Sequence, residues 1–485
     1  MIIETIARNY FGHQSLRPNQ KVIISSILSH KDTLSILPTG GGKSLCYQVA
    51  AMCLPGVTIV ISPLISLMQD QIQHLIRLNI PSAAINSTVS KEQTVEILRD
   101  ASMGKLKLLY VTPERLSNSM FFEYIKKCQI SMITIDEAHC LSQWGHNFRK
   151  DYLKIPDFLE KLNQDVVISA FTATANKNVE NDILNILKLK TPEVFRASFD
   201  RPNLYLQVKK TRNKYAELIK YIKSAPEKSG IVYCSTRKDV SLVYSKLLKD
   251  GIRAVMYHGG MTENERALSQ DKFIYNSVPV MIATNAFGMG IDKSDVKYVI
   301  HYNMPLDMES YYQEIGRAGR DGKQADCMLL YSPADYKINL LMIQESKEFD
   351  KINRLNQMAD YCNTNKCLRN YIKEYFEGVT SYLHECNSCS NCCNLEMQEL
   401  RIKIESKIIE CIKELPRAYG KTMICEILTG EKNERIIKLR FNRLSSYGKL
   451  KKQKAKDIYD ALDKMIKSNQ LAISAGEYPT IKIME

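Results

Sequence analysis

The sequence predicts an α/β architecture of two successive parallel-sheet domains, then a helical metal-binding subdomain, then a small helical domain closed by a hairpin. Three observations predict it. Strand-length apolar runs alternate with helical periodicity through residues 30 to 200, and the alternation restarts beyond residue 208. Cys367, Cys386, Cys389 and Cys392 carry metal-ligand spacing. A basic block at residues 432–456, with ten Lys or Arg against one Glu, sits among helical stretches before two short strand-like segments.

Composition bounds the function. With 485 residues and 45% apolar content the chain is long enough for several cores, which excludes a disordered protein. Its apolar runs are strand-sized, and the N-terminus MIIETIARNY lacks the basic start and apolar stretch of a signal peptide. A soluble cytoplasmic protein with no membrane partner is therefore expected. The 14 cysteines of such a protein should be buried thiols or, where clustered, metal ligands. A net charge of +14 suits a polyanionic partner.

In the first α/β domain, a helix begins after FGHQSLRPNQ (residues 11–20), and a strand-like SIL then runs into PTGGGKS, Pro38 to Ser44. Gly40, Gly41 and Gly42 let backbone N–H groups wrap a phosphate, with Thr39 at the mouth of the turn. Lys43 would reach the β and γ phosphates of ATP, and Ser44 would ligate Mg²⁺. Leu37 stands where the strict pattern G-x-x-x-x-G-K-[ST] has its first glycine. Residues 56–71 and 106–116 each read as a strand ending in Ser-Pro or Thr-Pro. Their Ser62, Thr112 and Arg115 are candidates for a nucleic-acid backbone, with helix capping as the plainer reading of the two hydroxyls.

The stretch IDEAHCLSQWGHNFR (residues 135–149) follows another apolar strand. Asp136 and Glu137 should emerge at its carboxyl end, where nucleotides bind, one to hold Mg²⁺ and the other to activate the attacking water. Trp144, the only Trp of the chain, together with Phe148 and Arg149, suits base stacking better than a core. Thr172 and Thr174 of VVISAFTATA would sense the acid pair through hydrogen bonds.

A boundary is expected near FDRPNLYLQV (residues 199–208). Four strand-like runs follow, beginning at residues 230, 252, 278 and 296, and no second phosphate loop accompanies them. Instead, YYQEIGRAGRDG carries Arg317 and Arg320 on a Gly-rich helix end. Two arginines aimed at a phosphate in the facing domain explain that composition better than packing does.

Helical periodicity then leads to CxxCxxC at Cys386, Cys389 and Cys392, with Cys367 19 residues upstream of the first. Four thiolates suit structural Zn²⁺, with Cys362 and Cys393 as rival ligands. Beyond them, three helices and a hairpin predict a winged helix that offers ERIIKLRFNRLSSYGK to DNA, with Arg440, Lys451 and Lys452 as contacts. The expected domains are 1–205, 206–335, 336–395 and 396–485.

Taken together, FGHQSLRPNQ, PTGGGKS, SPLISLMQDQ, DEAH, QWGHNFR, FTATA, ATNAFGMGIDK and QEIGRAGRDG resemble, in order and spacing, the motifs of the RecQ family of DNA helicases. The resemblance implies two RecA-like motor domains, a zinc-binding subdomain and a winged helix, and ATP-driven unwinding with 3′ to 5′ movement in repair and recombination. It implies Gln20 and Arg17 at the adenine, with His13 where an aromatic residue is usual, and Gln313 as a γ-phosphate or water sensor. The expected cofactors are ATP, Mg²⁺ and Zn²⁺. The expected partners are single-stranded and forked or branched duplex DNA in a bacterial nucleoid; a single-strand-binding or recombination partner is not legible. Asn147, Lys150 and Asn285 depart from the family pattern, and the sequence stops just after the wing, so a further C-terminal helical nucleic-acid-binding domain is expected to be absent. Rival readings are a DNA-stimulated translocase, an RNA helicase, and a DNA-structure binder with a dead ATPase fold.

Overall fold

The structure is a computed structural model that describes residues 2–142, 148–162, 164–226, 228–288, 293–346, 348–349, 351–378, 386–393, 395–468, 470–474 and 479–484. Two compact units divide it. One holds residues 1–204, 208–360 and 372–378; the other holds 205–207, 361–371 and 379–485.

The first unit contains two sheets, apart from residues 205–207 of one strand. Strands β1 (Thr33–Ile36), β2 (Val57–Ile61), β3 (Ser82–Ile85), β4 (Leu108–Val111), β5 (Ile130–Ile135), β6 (Val167–Thr172) and β7 (Glu193–Arg196) form a sheet in the order β3-β4-β2-β5-β6-β1-β7. All six pairings are parallel. Residues of β1, β2 and β4 are buried without alternation, as expected of strands covered by helices on both faces. Ile23, Ile27, Val49, Met68 and Leu75 from three flanking helices join Val60 and Phe171 of the sheet in one core.

Strands β8 (Leu204–Lys210), β9 (Gly230–Tyr233), β10 (Ala254–Tyr257), β11 (Val280–Ala283), β12 (Tyr298–His301) and β13 (Ala325–Tyr331) form a second sheet, β10-β11-β9-β12-β13-β8. Its core joins Val232, Ile282 and Ile300 to Leu218, Val240 and Leu247 of two helices. The apolar runs of the sequence announce β9 to β12 but not β13, and β8 lies in the segment expected to be a boundary.

In the second unit, helices Leu395–Glu414, Lys421–Thr429, Glu434–Lys438 and Ala455–Lys467 precede an antiparallel pair, β14 (Leu471–Ile473) and β15 (Ile481–Ile483). Ile408, Ile424, Leu428, Ile458 and Leu462 are buried together. One expectation needs correction here. The segment ERIIKLRFNRLSSYGK is not one helix: it ends at Lys438, and Arg440 sits at φ +58. The break turns Phe441 inward, where it is buried and meets the Tyr419 ring edge-on at 5.2 Å. Among the described residues, no helix is long and apolar enough to cross a membrane.

Candidate nucleotide site and metal centre

The turn from β1 into helix Lys43–Cys53 is built from left-handed glycines, Gly40 at φ +77 and Gly42 at φ +80. Side chains hold its carbonyls from outside. Arg17 Nη1 donates to Gly40 O at 3.0 Å, and Gln20 Nε2 donates to Gly41 O at 3.3 Å. Because a peptide is planar and trans, holding a C=O on one side turns the following N–H to the other. Gly41 N–H instead closes the turn onto Pro38 O at 2.8 Å. Gln20 is buried, and its Oε1 accepts Arg17 N–H at 2.9 Å. The two residues expected at the adenine thus brace the phosphate loop in this structure.

Asp136 and Glu137 leave β5 as the pattern requires. Asp136 is 5% exposed, and burial, reinforced by the charge of Glu137 and opposed by Lys43, pushes its carboxyl up to about 7. Its Oδ1 accepts Glu137 N–H at 3.0 Å. Glu137 adopts φ +48, a left-handed conformation that costs a side-chain-bearing residue about 1–2 kcal/mol. That turn brings its carboxylate to 3.3 Å from His139 Nδ1. His139 Nδ1 in turn lies 3.0 Å from Thr172 Oγ1, which donates to Thr174 O at 3.1 Å. Gln313 Nε2 of the second domain reaches Thr174 Oγ1 at 3.5 Å. The two threonines therefore link the acid pair to the second domain.

One cleft of about 440 Å³ collects these groups. It is lined by His13, Arg17, Gln20, Thr39, Gly40, Gly42, Lys43, Ser44, Asp136 and Glu137 from the first domain and by Gln313, Arg317 and Arg320 from the second. Of the residues expected at the nucleotide, only Gly41 stands behind the lining. Arg317 is 8% exposed and packs against Gly288, where a Cβ would fall 2.5 Å from the guanidinium. The oxygen donors Ser44 and Asp136 beside Lys43 fit a magnesium–phosphate group, since Mg²⁺ takes hard oxygen ligands.

Arg201 was missed. The sequence marks residues 199–208 only as a boundary, yet Arg201 Nη1 donates to Thr39 O at 3.0 Å and Nη2 to Ala318 O and Gly319 O at 3.1 Å each. No local pattern announces a bond between residues so distant in sequence.

The residues expected on DNA are more scattered. Trp144 and Asn147 lie outside the described residues. Phe148 is half-buried, and Arg149 Nη1 donates to Pro63 O at 2.9 Å. Ser62 and Thr112 are buried at the ends of β2 and β4. Arg115 Nη2 is held by Asn86 O at 2.6 Å. Arg440, Lys451 and Lys452 are exposed.

In the second unit, the sulfur atoms of Cys367, Cys386, Cys389 and Cys392 lie within 4.8 Å of one another, with pairs at 3.9 and 4.0 Å. Tetrahedral Zn–S bonds of about 2.3 Å put sulfurs about 3.8 Å apart, so the cluster fits zinc. Ser388 N–H points at Cys386 Sγ from 3.5 Å, a donor suited to a thiolate. Asn391 ties the three-cysteine segment to the backbone before Cys367 by donating to Thr364 O and Lys366 O at 2.9 and 2.8 Å. Neither rival ligand joins the cluster; Cys362 is buried elsewhere, and Cys393 is exposed.

Four family models match in chain order: DEAD/DEAH box helicase over residues 17–182, helicase conserved C-terminal domain over 213–322, RecQ zinc-binding over 333–393, and RQC domain over 402–485. The ATP-dependent DNA helicase RecQ of Bacillus subtilis is 39% identical over 483 residues, covering 99% of this chain and 81% of that protein. The protein of the same name from Haemophilus influenzae is 36% identical over 462 residues, covering 94% and 74%. The structure of Mycobacterium smegmatis helicase Lhr bound to single-stranded DNA and AMP-PNP superposes with a TM-score of 0.55 at 16% identity, over 99% of this chain and 60% of that one, a likeness of fold alone. Two motor domains, a four-cysteine centre and an RQC domain, in this order and with relatives matched along most of their own length, have one reading: the chain belongs to the RecQ family.

Proposed function

We propose that this chain uses ATP hydrolysis to unwind DNA, moving 3′ to 5′ along a single strand at forks or branches, in repair and recombination. One observation carries the reading. Lys43, Asp136 and Glu137 from one domain and Gln313, Arg317 and Arg320 from the other line a single cleft. Catalysis of phosphoryl transfer is mostly positioning and charge stabilisation, and these are groups of that kind.

The Gly40 and Gly42 amides and Lys43 cradle the phosphates. Ser44 and Asp136 would hold magnesium, which would supply charge neutralisation on the phosphate oxygens. Glu137 orients and deprotonates the attacking water, Gln313 senses the γ-phosphate through Thr174, and Arg317 or Arg320 meets the charge developing on the transferred group. His13, Arg17 and Gln20 face the base. The four cysteines hold zinc, which supplies folding energy to the second unit. DNA is contacted by Arg115, Trp144, Phe148 and Arg149 in the motor, and by Arg440, Lys451 and Lys452 in the basic domain.

The test compares ATP turnover with single-stranded DNA, with RNA and without nucleic acid, then strand separation of duplexes tailed at either end. DNA-stimulated turnover with unwinding of the 3′-tailed duplex is expected. Stimulation by RNA alone supports the RNA helicase reading, stimulation without strand separation the translocase reading, and no turnover a DNA-structure binder. Metal analysis should find about one zinc per chain, as four thiolates require.

A further inference from the structure

We infer that Arg201, on the connector between the two motor domains, is a positioning residue that sets the phosphate loop and the arginine-bearing loop against each other. The inference rests on the proposed ATPase. Three consecutive carbonyls of the phosphate turn are held by side chains: Gly41 O by Gln20, Gly40 O by Arg17 and Thr39 O by Arg201. The first two holders belong to the domain that contains the loop. Arg201 alone of the three also holds the other domain, through Ala318 O and Gly319 O.

Those two carbonyls lie between Arg317 and Arg320, so one guanidinium fixes the backbone that aims both arginines. On its other side the same group fixes the Thr39–Gly40 peptide, and planarity turns the Gly40 N–H away from it, to the opposite side. Arginine is suited to this because its rigid fork presents several donors in fixed directions. The loops meet closely here. A Cβ at Gly316 would fall 2.8 Å from Thr39 Cβ, and one at Gly40 would fall 3.5 Å from Arg320 Cγ and 3.9 Å from Arg201 Nη1.

The connector itself is pinned. Phe199 stacks on Phe376 at 4.6 Å, its carbonyl accepts the Tyr312 hydroxyl at 3.0 Å, and its N–H donates to Glu377 at 2.9 Å. The Asn203 side chain adds bonds to Gly319 O and Lys323 O at 2.8 and 2.9 Å, both in the second domain. Arg201 is therefore held in place before any ligand arrives, and it transmits the position of one loop to the other.

The experiment measures single-turnover ATP hydrolysis with saturating single-stranded DNA for wild type, Arg201→Ala, Arg201→Lys, Arg320→Ala and the Arg201→Ala/Arg320→Ala double variant, together with melting temperatures. Misplacing reacting groups by about 1 Å costs on the order of a hundredfold, so Arg201→Ala should slow hydrolysis by at least about tenfold. Arg201→Lys, with one compact donor head, should fall between Arg201→Ala and wild type. In the Arg320→Ala background the same Arg201→Ala change should cost less, because one of the groups it positions is already gone. A merely structural role predicts equal fractional losses in both backgrounds with a falling melting temperature. That outcome, or an Arg201→Ala rate equal to wild type, overturns the inference. Wild-type protein that hydrolyses no ATP overturns the proposed function instead.

Discussion

The two parallel-sheet domains build the same joint, a buried strand turning into a helix, and use it in opposite ways. In the first, β1 enters helix Lys43–Cys53 through left-handed glycines, with no side-chain cap and no acid in the first helical turn. In the second, β9 enters helix Arg237–Lys249 through Thr236, whose hydroxyl oxygen accepts Asp239 N–H at 3.0 Å while donating to the Asp239 carboxylate at 2.9 Å. An anion at the first helix meets open amides and a positive dipole end; at the second it meets a satisfied amide and a carboxylate. The two joints differ in the loop between strand and helix, six residues (37–42) in the first and three (234–236) in the second. Sheet topology places a phosphate site, but local capping decides whether it is open.

The sharpest break of this contrast is Lys43→Ala or Glu137→Gln. Either should take ATP turnover below detection while strand binding persists, read by phosphate release and by fluorescence anisotropy. Turnover near wild type would leave the open joint without a function. Next come Arg317→Ala and Arg320→Ala, which test what the closed domain contributes. The finger should cost about a thousandfold in turnover with nucleotide affinity largely kept, and the larger loss identifies it. Nucleotide affinity and turnover equal to wild type in both variants would remove the second domain from the chemistry.

A smaller effect is expected at the closed joint. Thr236→Ala deletes the cap and should cost about 1 kcal/mol in chemical denaturation, without creating nucleotide binding in that domain. The last test is a pH signature of the second domain. Burial, reinforced by Asp307, pushes Glu309 up to about 7. The folded chain therefore holds that proton more tightly than the unfolded one, a contribution present at acid pH and lost as pH rises through about 7. Glu309→Gln keeps an acceptor for the Tyr375 hydroxyl, now 2.7 Å from Glu309 Oε1. It should melt above wild type at pH 8, with the gap closing toward pH 5, and a constant gap would contradict the assignment.

Much of this was legible because the chemistry is written in contiguous residues. Pro38 to Ser44, Asp136 with Glu137, and Gln313 to Arg320 each carry their geometry within one turn or one helix end. The strands of high apolar content were legible for the same reason. What was not legible depends on distant partners or small side chains. β3 is Ser-Ala-Ala-Ile, too small and mixed to announce a strand, and β7 is only half-buried. Arg201 finds its acceptors 117, 118 and 162 residues away. Arg440 breaks a segment whose composition reads as helix, because burying Phe441 outweighs local propensity. Choosing among six clustered cysteines needed distances, which spacing alone does not supply.

The carboxamide of Gln20 has both ends engaged, one on the Arg17 amide and the other on Gly41 O. An adenine edge offers the same pair of partners, a donor and an acceptor. A carboxamide that swivels to greet the base must let go of the loop, so identifying the base and slackening the phosphate cradle become a single exchange. A base with the wrong edge leaves that latch fastened. Under the role proposed for Gln20 at the base, the chain would grade its nucleotides by the suppleness of the loop beneath the phosphates as well as by fit at the base.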